Sequence, residues 1–379
     1  MMTVIIFIAV LALLIFTHEL GHYLTAVRNG VGAHEFGFGF PPRIVGVVKN
    51  DDGTWEVVWR KQKKHYKNTI FSLNWIPLGG FVRIKGEDGT DKDPDSFAQQ
   101  SAWVRFKILV AGVVMNMLTA YVLFVIALAL GMPEPVADGT PGSFAQITQV
   151  GATQSGEIAS PAEAMGIKIG DMPTRVCAGE ECRDIDGATD LIAFSQQHHG
   201  DAVALTVHRS GKELTLHGTL RDAALAQQYG AFGVGIATVR IADLTVLQIL
   251  GGAAVQTWDF LVMILQGLGA LLWNLITGAG LSADVAGPVG IAKMTGQAAV
   301  LGLAQLAHFA AILSINLAVI NILPIPALDG GRILFIIIEK LRGGRPVNKN
   351  VEAVVHGVSF MALILLMVVV TVRDVLKLF

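Results

Sequence analysis

VIIFIAVLALLIFTHELGHYLTAVR, residues 4–28, decides how the rest of the chain is read. Its first thirteen residues are apolar without a break and run straight into Thr17-His18-Glu19-Leu20-Gly21-His22. As a helix the stretch is long enough to cross the roughly 30 Å hydrocarbon core of a bilayer. A signal peptide would carry a basic start and a small-residue cleavage site. Met1-Met2-Thr3 holds no Lys or Arg and no such site follows, so the segment reads as a retained first helix. An ionisable group at the centre of such a helix costs roughly 3 kcal/mol or more unless it is partnered, so an acid and two imidazoles there point to a functional site.

The composition agrees with a membrane protein that has a water-facing part. Of 379 residues 53% are hydrophobic and 15% charged, against about 25% charged in soluble domains. No basic stripe interleaved with aromatics is present, so nucleic acid is excluded as a partner and membrane lipid is expected. Two cysteines, Cys177 and Cys182, are too few for a disulfide scaffold.

The chain divides into four parts. Residues 1–132 hold the first helix, a polar glycine-rich stretch with strand-like TWEVVWR (54–60) and GGFVRIKG (79–86), and a second apolar helix from about 104 to 132. From Arg43 to Lys107 basic residues outnumber acidic ones by 12 to 8. The positive-inside rule makes that face cytoplasmic and the N-terminus external. Residues 133–239 have the composition of a soluble domain. AVALTVHRSGKELTLHGTL (202–220) predicts a hairpin with Val203, Leu205 and Val207 alternating toward Leu214 and Leu216, and ATDLIAFSQQ (188–197) predicts a helix. An odd number of spans from the cytoplasm places this domain outside. Residues 240–303 read as a membrane-peripheral amphipathic region, because counting 243–277 as a span breaks the parity. Residues 304–379 complete the membrane part, with an apolar stretch at 304–338, a basic loop through Lys340, Arg342, Arg345 and Lys349, and a last span at about 352–372.

HELGH (18–22) fits His-Glu-x-x-His. On a helix, residues four apart share a face, so His18 and His22 can offer ring nitrogens to one Zn²⁺. Glu19 stands beside that face, where a carboxylate can take a proton from a water acidified by the metal, the chemistry of peptide hydrolysis. His22 and His18 lie six and ten residues before Arg28; at 1.5 Å per residue they sit roughly 9–15 Å inside the cytoplasmic end. A catalytic zinc needs a third protein ligand and an open position. Asp329 in NILPIPALDGG (321–331) is the candidate: an acid in an apolar segment, just after Pro324 and Pro326 break the helix. As a lesser alternative Asp329 caps the helix that begins at GGRILFIIIEK, a role that can coexist with ligation. His34, His65, His308 and His356 lack a partner at ligand spacing and read as structural or surface residues, and His198 and His199 as a solvated helix end.

HELGH in the first span and LDG in a late one resemble the site-2 protease family of intramembrane zinc metalloproteases, in particular the bacterial regulator-of-sigma-E type. FGFGF (36–40) is similar to the family's membrane-associated β-loop, PLGGFVRIKGE (77–87) to its cytoplasmic β-segment, AGPVGIAK (286–293) to the stretch before the late catalytic helix, and SPAEAMGIKIGD (160–171) to the PDZ signature. The resemblance implies a polytopic α-helical membrane protein of about four transmembrane helices, with membrane-associated β-segments and an inserted extracytoplasmic PDZ-like α+β domain at 133–239. It implies Zn²⁺ held by His18, His22 and Asp329, with Glu19 as base. It implies substrate contacts from Asn321, from Gly37 and Gly39 on an edge strand, and from Asn116.

Two features depart from the family pattern. AGVVMN (111–116) stands where a Gly-Pro pair often precedes the asparagine, so Asn116 could instead serve helix packing, and one PDZ-like domain stands where two are common. No carboxylate-binding loop is evident in that domain, which leaves a size filter or spacer open beside peptide binding. Cys177 and Cys182 could form a disulfide in an oxidising compartment or stay unpaired. The expected protein is a monomer of the bacterial inner membrane that cleaves single-pass transmembrane substrates, such as anti-sigma factors or signal-peptide remnants, near the cytoplasmic side. The alternative is a non-hydrolytic ion or proton transporter, or a scaffold, which would also use intramembrane ionisable residues.

Overall fold

The computed structural model describes residues 2–59, 66–87, 91, 93–151, 160–209, 211–278, 286–345 and 347–376; His65 lies outside them. The chain forms two compact units, one of residues 1–126, 249–296 and 306–378, the other of 127–248 and 297–305.

In the first unit, α1 (Met2–Arg28) is followed by three strands, β1 (Ala33–Lys49), β2 (Trp55–Trp59) and β3 (Ile70–Ile84), and then by α2 (Ala102–Ala129). α1 carries no internal proline and ends at Asn29-Gly30, where Gly30 takes φ +75° and the Asn29 side chain donates to the Thr25 carbonyl. α1 and α2 approach closely at Gly21, where a Cβ would stand 2.4 Å from the Ala111 carbonyl oxygen. Small residues at a crossing let membrane helices come this near.

The sheet order is β2-β1-β3, but β1 and β3 each bend, and the first half of β1 lies between two stretches of β3. Phe36 is opposite both Phe71 and Val82, and Gly37 opposite both Ser72 and Phe81. The expectation of Gly37 and Gly39 on an edge strand is therefore corrected. A Cβ at Gly37 would meet Phe81, Asn74 and Ser72 within 2.6 Å, and Gly39 turns the chain at φ +79° with its carbonyl held by the Asn74 amide at 2.9 Å. Among the described residues the sheet has two edges, β2 at one side and the second half of β3 at the other. The sheet exposes Trp55, Trp59, Leu73, Trp75, Phe38 and Phe40 to the surroundings.

The rest of this unit is helical, comprising α6 (Val246–Thr277), α7 (Pro288–Leu301), α8 (Leu303–Ile322), α9 (Asp329–Leu341) and α10 (Lys349–Leu376), with α6, α7 and α8 continuing from or into the other unit. Among the described residues five helices are long and apolar enough to cross a membrane: α1, α2, α6, α8 and α10. The protein is polytopic with β-segments, and its count of long apolar helices exceeds the expected four by α6. Phe260 of α6 stacks on Phe124 of α2 at 5.5 Å, and His308 of α8 sits edge-on to both rings. Val10, Leu14 and Ala310 pack α1 against α8, while Ala26, Ile84, Ile108 and Ile333 join α1, β3, α2 and α9.

The second unit is α+β. Its elements are β4 (Glu134–Pro135), β5 (Phe144–Val150), α3 (Pro161–Met165), β6 (Met172–Ala178), β7 (Glu181–Asp184), α4 (Ala188–Gln197), β8 (Ala202–Arg209), β9 (Lys212–Thr219), α5 (Ala223–Tyr229) and β10 (Val234–Arg240). They form two sheets, β4-β10-β5 and β7-β6-β8-β9. The predicted hairpin is β8–β9, with Val207 opposite Leu214 and Leu205 opposite Leu216, and the predicted helix is α4. Val203, Leu205 and Val207 enter a core with Val176, Leu191 and Phe194. α3 opens with a Ser160–Glu163 capping box, and buried Asp171 accepts two hydrogen bonds from Arg209 at 2.6 Å. Cys177 and Cys182 face one another across the β6–β7 pair and form a disulfide.

Candidate active site

His18 and His22 share one face of α1, and both are buried. Asp329 is the first residue of α9, reached through a broken stretch after α8 ends at Ile322. The break holds Pro324 and Pro326, and the two following glycines seal it. A Cβ at Gly330 would stand 2.2 Å from the Ile322 and Leu323 carbonyl oxygens, and one at Gly331 would stand 2.3 Å from the Ile325 oxygen. The glycines of LDGG thus let the start of α9 fold flat against the break. Leu328, not Asp329, occupies the N-cap, and it makes no side-chain cap bond. The Asp329 carboxylate is turned instead toward α1.

The donor atoms of these three residues form a near-equilateral triangle. His18 Nε2 is 3.1 Å from Asp329 Oδ2, His22 Nε2 is 3.2 Å from the same oxygen, and the two Nε2 atoms are 3.1 Å apart. A tetrahedral zinc with ligands at about 2.0–2.2 Å sets its ligand atoms roughly 3.3–3.6 Å from one another, so the triangle is within a few tenths of an ångström of the size that one ion requires. Two imidazoles and one carboxylate also form a donor set that leaves a fourth position open for chemistry. Among the described residues no other group of three His, Cys, Asp or Glu is close enough to share an ion.

The surroundings orient each group. His22 Nδ1 donates to the Ile108 carbonyl at 2.8 Å, which leaves Nε2 as the lone pair facing the triangle. Glu19 Oε2 accepts from the backbone N–H of Val82 at 3.1 Å, which ties the carboxylate to the free edge of β3. α9 is held in place by two ion pairs. Arg105 of α2 donates to both Glu339 oxygens at 2.7 and 3.1 Å, and Arg332 pairs with Glu87 just past β3.

Sequence reasoning missed Gly112. A Cβ there would stand 2.4 Å from His22 Nε2 and 2.7 Å from His18 Cε1, so the bare backbone of α2 makes the room both imidazoles occupy. Ile108, Gly112 and Asn116 stand four apart on α2, the same spacing that brings His18 and His22 together on α1. That repeat was the available signal. Asn116 is fully buried, with its amide 3.2 Å from His18 Nδ1. Asn321 is half-buried on the last turn of α8, while Gly37 and Gly39 lie inside the sheet.

Residues 6–366 match the model of peptidase family M50. The regulator of sigma-W protease RasP of Bacillus subtilis is 30% identical, with all of this chain and 99% of the relative aligned. The zinc metalloprotease RasP of Geobacillus kaustophilus is also 30% identical, with all of this chain and 98% of the relative aligned. The chain belongs to peptidase family M50. It is a zinc metalloprotease, which sets aside the transporter and scaffold alternative.

Proposed function

We propose that the chain is an intramembrane endopeptidase whose zinc is held by His18, His22 and Asp329, and whose general base is Glu19. The observation that carries this is the triangle of donor atoms, 3.1–3.2 Å on a side, drawn from a long apolar helix and the LDG turn. When bound, zinc supplies a Lewis acid that polarises the scissile carbonyl and makes a water acidic enough to react near neutral pH. Glu19 takes the proton of the attacking water and passes it to the leaving amine nitrogen. The Val82 N–H fixes one carboxylate oxygen and leaves the other to carry that proton. The Ile108 carbonyl holds the His22 proton on Nδ1, which leaves the Nε2 lone pair for the metal.

A transmembrane substrate hides its carbonyls in i→i−4 bonds and must be extended before attack. The free edge of β3 at Gly80–Ile84, beside Glu19, suits pairing with such an extended segment through main-chain hydrogen bonds. Gly37 and Gly39 serve this edge indirectly, as the close-packed strand behind it, and Asn321 contacts substrate backbone from α8. The exposed tryptophans Trp55, Trp59 and Trp75 suit a sheet seated at the lipid interface, where indoles concentrate. Water reaches the site from the cytoplasmic side, and the N-terminus is external.

The second unit functions as an extracytoplasmic PDZ-like domain, and the Cys177–Cys182 disulfide supports an oxidising compartment. A groove of about 140 Å³ between α4 and β10 supports peptide binding over a bare spacer. Among the described residues, β10 pairs with β5 on one side along Val234–Thr238, while β4 covers its other side only at Val239 and Arg240. Asp138 holds both walls. It accepts from the Thr189 N–H at 2.9 Å and from the Thr189 and Thr238 hydroxyls, bonds that hold its carboxyl down at about 2. Substrates are single-pass membrane proteins trimmed on the outer side, with anti-sigma factors and signal-peptide remnants as the classes to test. The enzyme acts as a monomer in a bacterial inner membrane.

The test is cleavage of a single-span substrate by the purified enzyme in proteoliposomes, with mass spectrometry of the products. The expected cut lies within the apolar span, stops with a zinc chelator and returns with added zinc. A cut outside the span, or one indifferent to chelation, contradicts the proposal.

A further inference from the structure

One face of α2 backs both imidazoles. His22 Nδ1 donates to the Ile108 carbonyl at 2.8 Å, Gly112 makes the space, and Asn116 meets His18 Nδ1 at 3.2 Å. Asn116 is fully buried, and its side-chain Oδ1 has no hydrogen-bond partner among the described residues. Its backbone carbonyl accepts from Ser314 Oγ at 2.8 Å, so the residue is anchored to α8 independently of its amide.

The chemistry of a neutral imidazole makes the amide consequential. The ring carries one N–H, and the nitrogen that ligates a metal must offer a lone pair. His18 Nε2 faces Asp329 Oδ2 at 3.1 Å, so with a metal held there the proton belongs on Nδ1. That N–H is buried, and the group facing it is the Asn116 amide. A half-turn of the amide exchanges Nδ2 for Oδ1, which gives the ring N–H an acceptor and the orphaned oxygen a donor. In the opposite state the Asn116 amide donates to Nδ1, and Nε2–H bonds to Asp329. Asparagine, which can donate and accept from one position, serves both tautomers.

We infer that Asn116 is a positioning residue for the metal site. It accepts the His18 Nδ1–H and fixes the tautomer that frees Nε2, as the Ile108 carbonyl does for His22. The inference rests on His18, His22 and Asp329 being the ligands. It moves Asn116 from substrate contact to metal loading, and it goes beyond helix packing because it depends on an acceptor atom rather than on volume.

The experiment measures the zinc dissociation constant of the full-length protein in detergent by competition with a fluorescent chelator. Asn116→Leu keeps the volume and removes the acceptor, and its zinc affinity is expected to fall about 10–100-fold. Asn116→Asp keeps an oxygen at the same place, and its affinity is expected within a few-fold of the parent. The metal-free proteins should melt at similar temperatures. Parental affinity in the leucine variant, or equal losses in the leucine and aspartate variants, overturns the inference. His18→Ala separates this from failure of the ligand assignment. Zinc held normally by His18→Ala removes His18 as a ligand, whereas zinc lost by His18→Ala and kept by Asn116→Leu removes only the role of Asn116. Should the leucine variant not fold, the cobalt-substituted parent protein gives a second reading by proton NMR. Two hyperfine-shifted, slowly exchanging imidazole N–H signals are expected, and a single one overturns the inference.

Discussion

Glu19→Gln is expected to stop cleavage of a transmembrane substrate while leaving bound zinc unchanged. General acid–base catalysis contributes roughly 10²–10⁴-fold, and the loss should fall in that range. The substitution is clean in this site. A glutamine oxygen can still accept from the Val82 N–H, so the side chain keeps its anchor to β3 and loses only its basicity. Glu19 is outside the triangle formed by His18, His22 and Asp329, so the metal should stay. Metal content by mass spectrometry and turnover of a labelled substrate, measured on the same preparation, check both halves. Cleavage at the parental rate would remove Glu19 as the base.

Gly112→Ala is expected to cost nearly as much by a different route. The added methyl would lie 2.4 Å from His22 Nε2 and 2.7 Å from His18 Cε1, distances that non-bonded atoms do not tolerate. Either the imidazoles swing out of the triangle, or α2 backs away and the His22–Ile108 hydrogen bond opens. Both loosen the site at the metal itself, so zinc affinity should fall by at least the roughly 10–100-fold typical of lost outer-sphere support. Activity should fall with it, and excess zinc should restore part of it. An alanine methyl on an exposed glycine such as Gly267, where nothing among the described residues lies within 4 Å, should leave zinc affinity unchanged. Parental zinc affinity in Gly112→Ala would contradict the packing described here.

Much of the candidate site was legible because its residues are chemically conspicuous. Two imidazoles four apart in an apolar run, and an aspartate between prolines and glycines in another, are costly in lipid and so announce themselves. The helical period then supplies the geometry of His18 and His22. The hairpin of the second unit was legible for the same kind of reason, since Val203, Leu205 and Val207 alternate with the period of a strand.

Other parts left no chemical mark. Gly112 is one glycine in an apolar helix, and only the position of the imidazoles distinguishes it. The Val82 N–H and the Ile108 carbonyl are backbone groups, which every residue type carries equally. The edge of the sheet was misread at Gly37 because β1 and β3 each double back, and strand order follows from those bends rather than from the pattern of any one strand. The parity of spans set α6 aside as peripheral, yet its length and apolarity equip it to cross a membrane, and Phe260 stacks on α2.

The central claim is a metal site split between α1 and α9, and zinc X-ray absorption on the full-length protein tests it most directly. The spectrum of the parent protein is expected to fit one zinc per chain with two imidazoles and a carboxylate oxygen, and Asp329→Ala should lose most of its zinc. Full zinc occupancy in Asp329→Ala, or a parental spectrum with fewer than two imidazoles, would contradict the account.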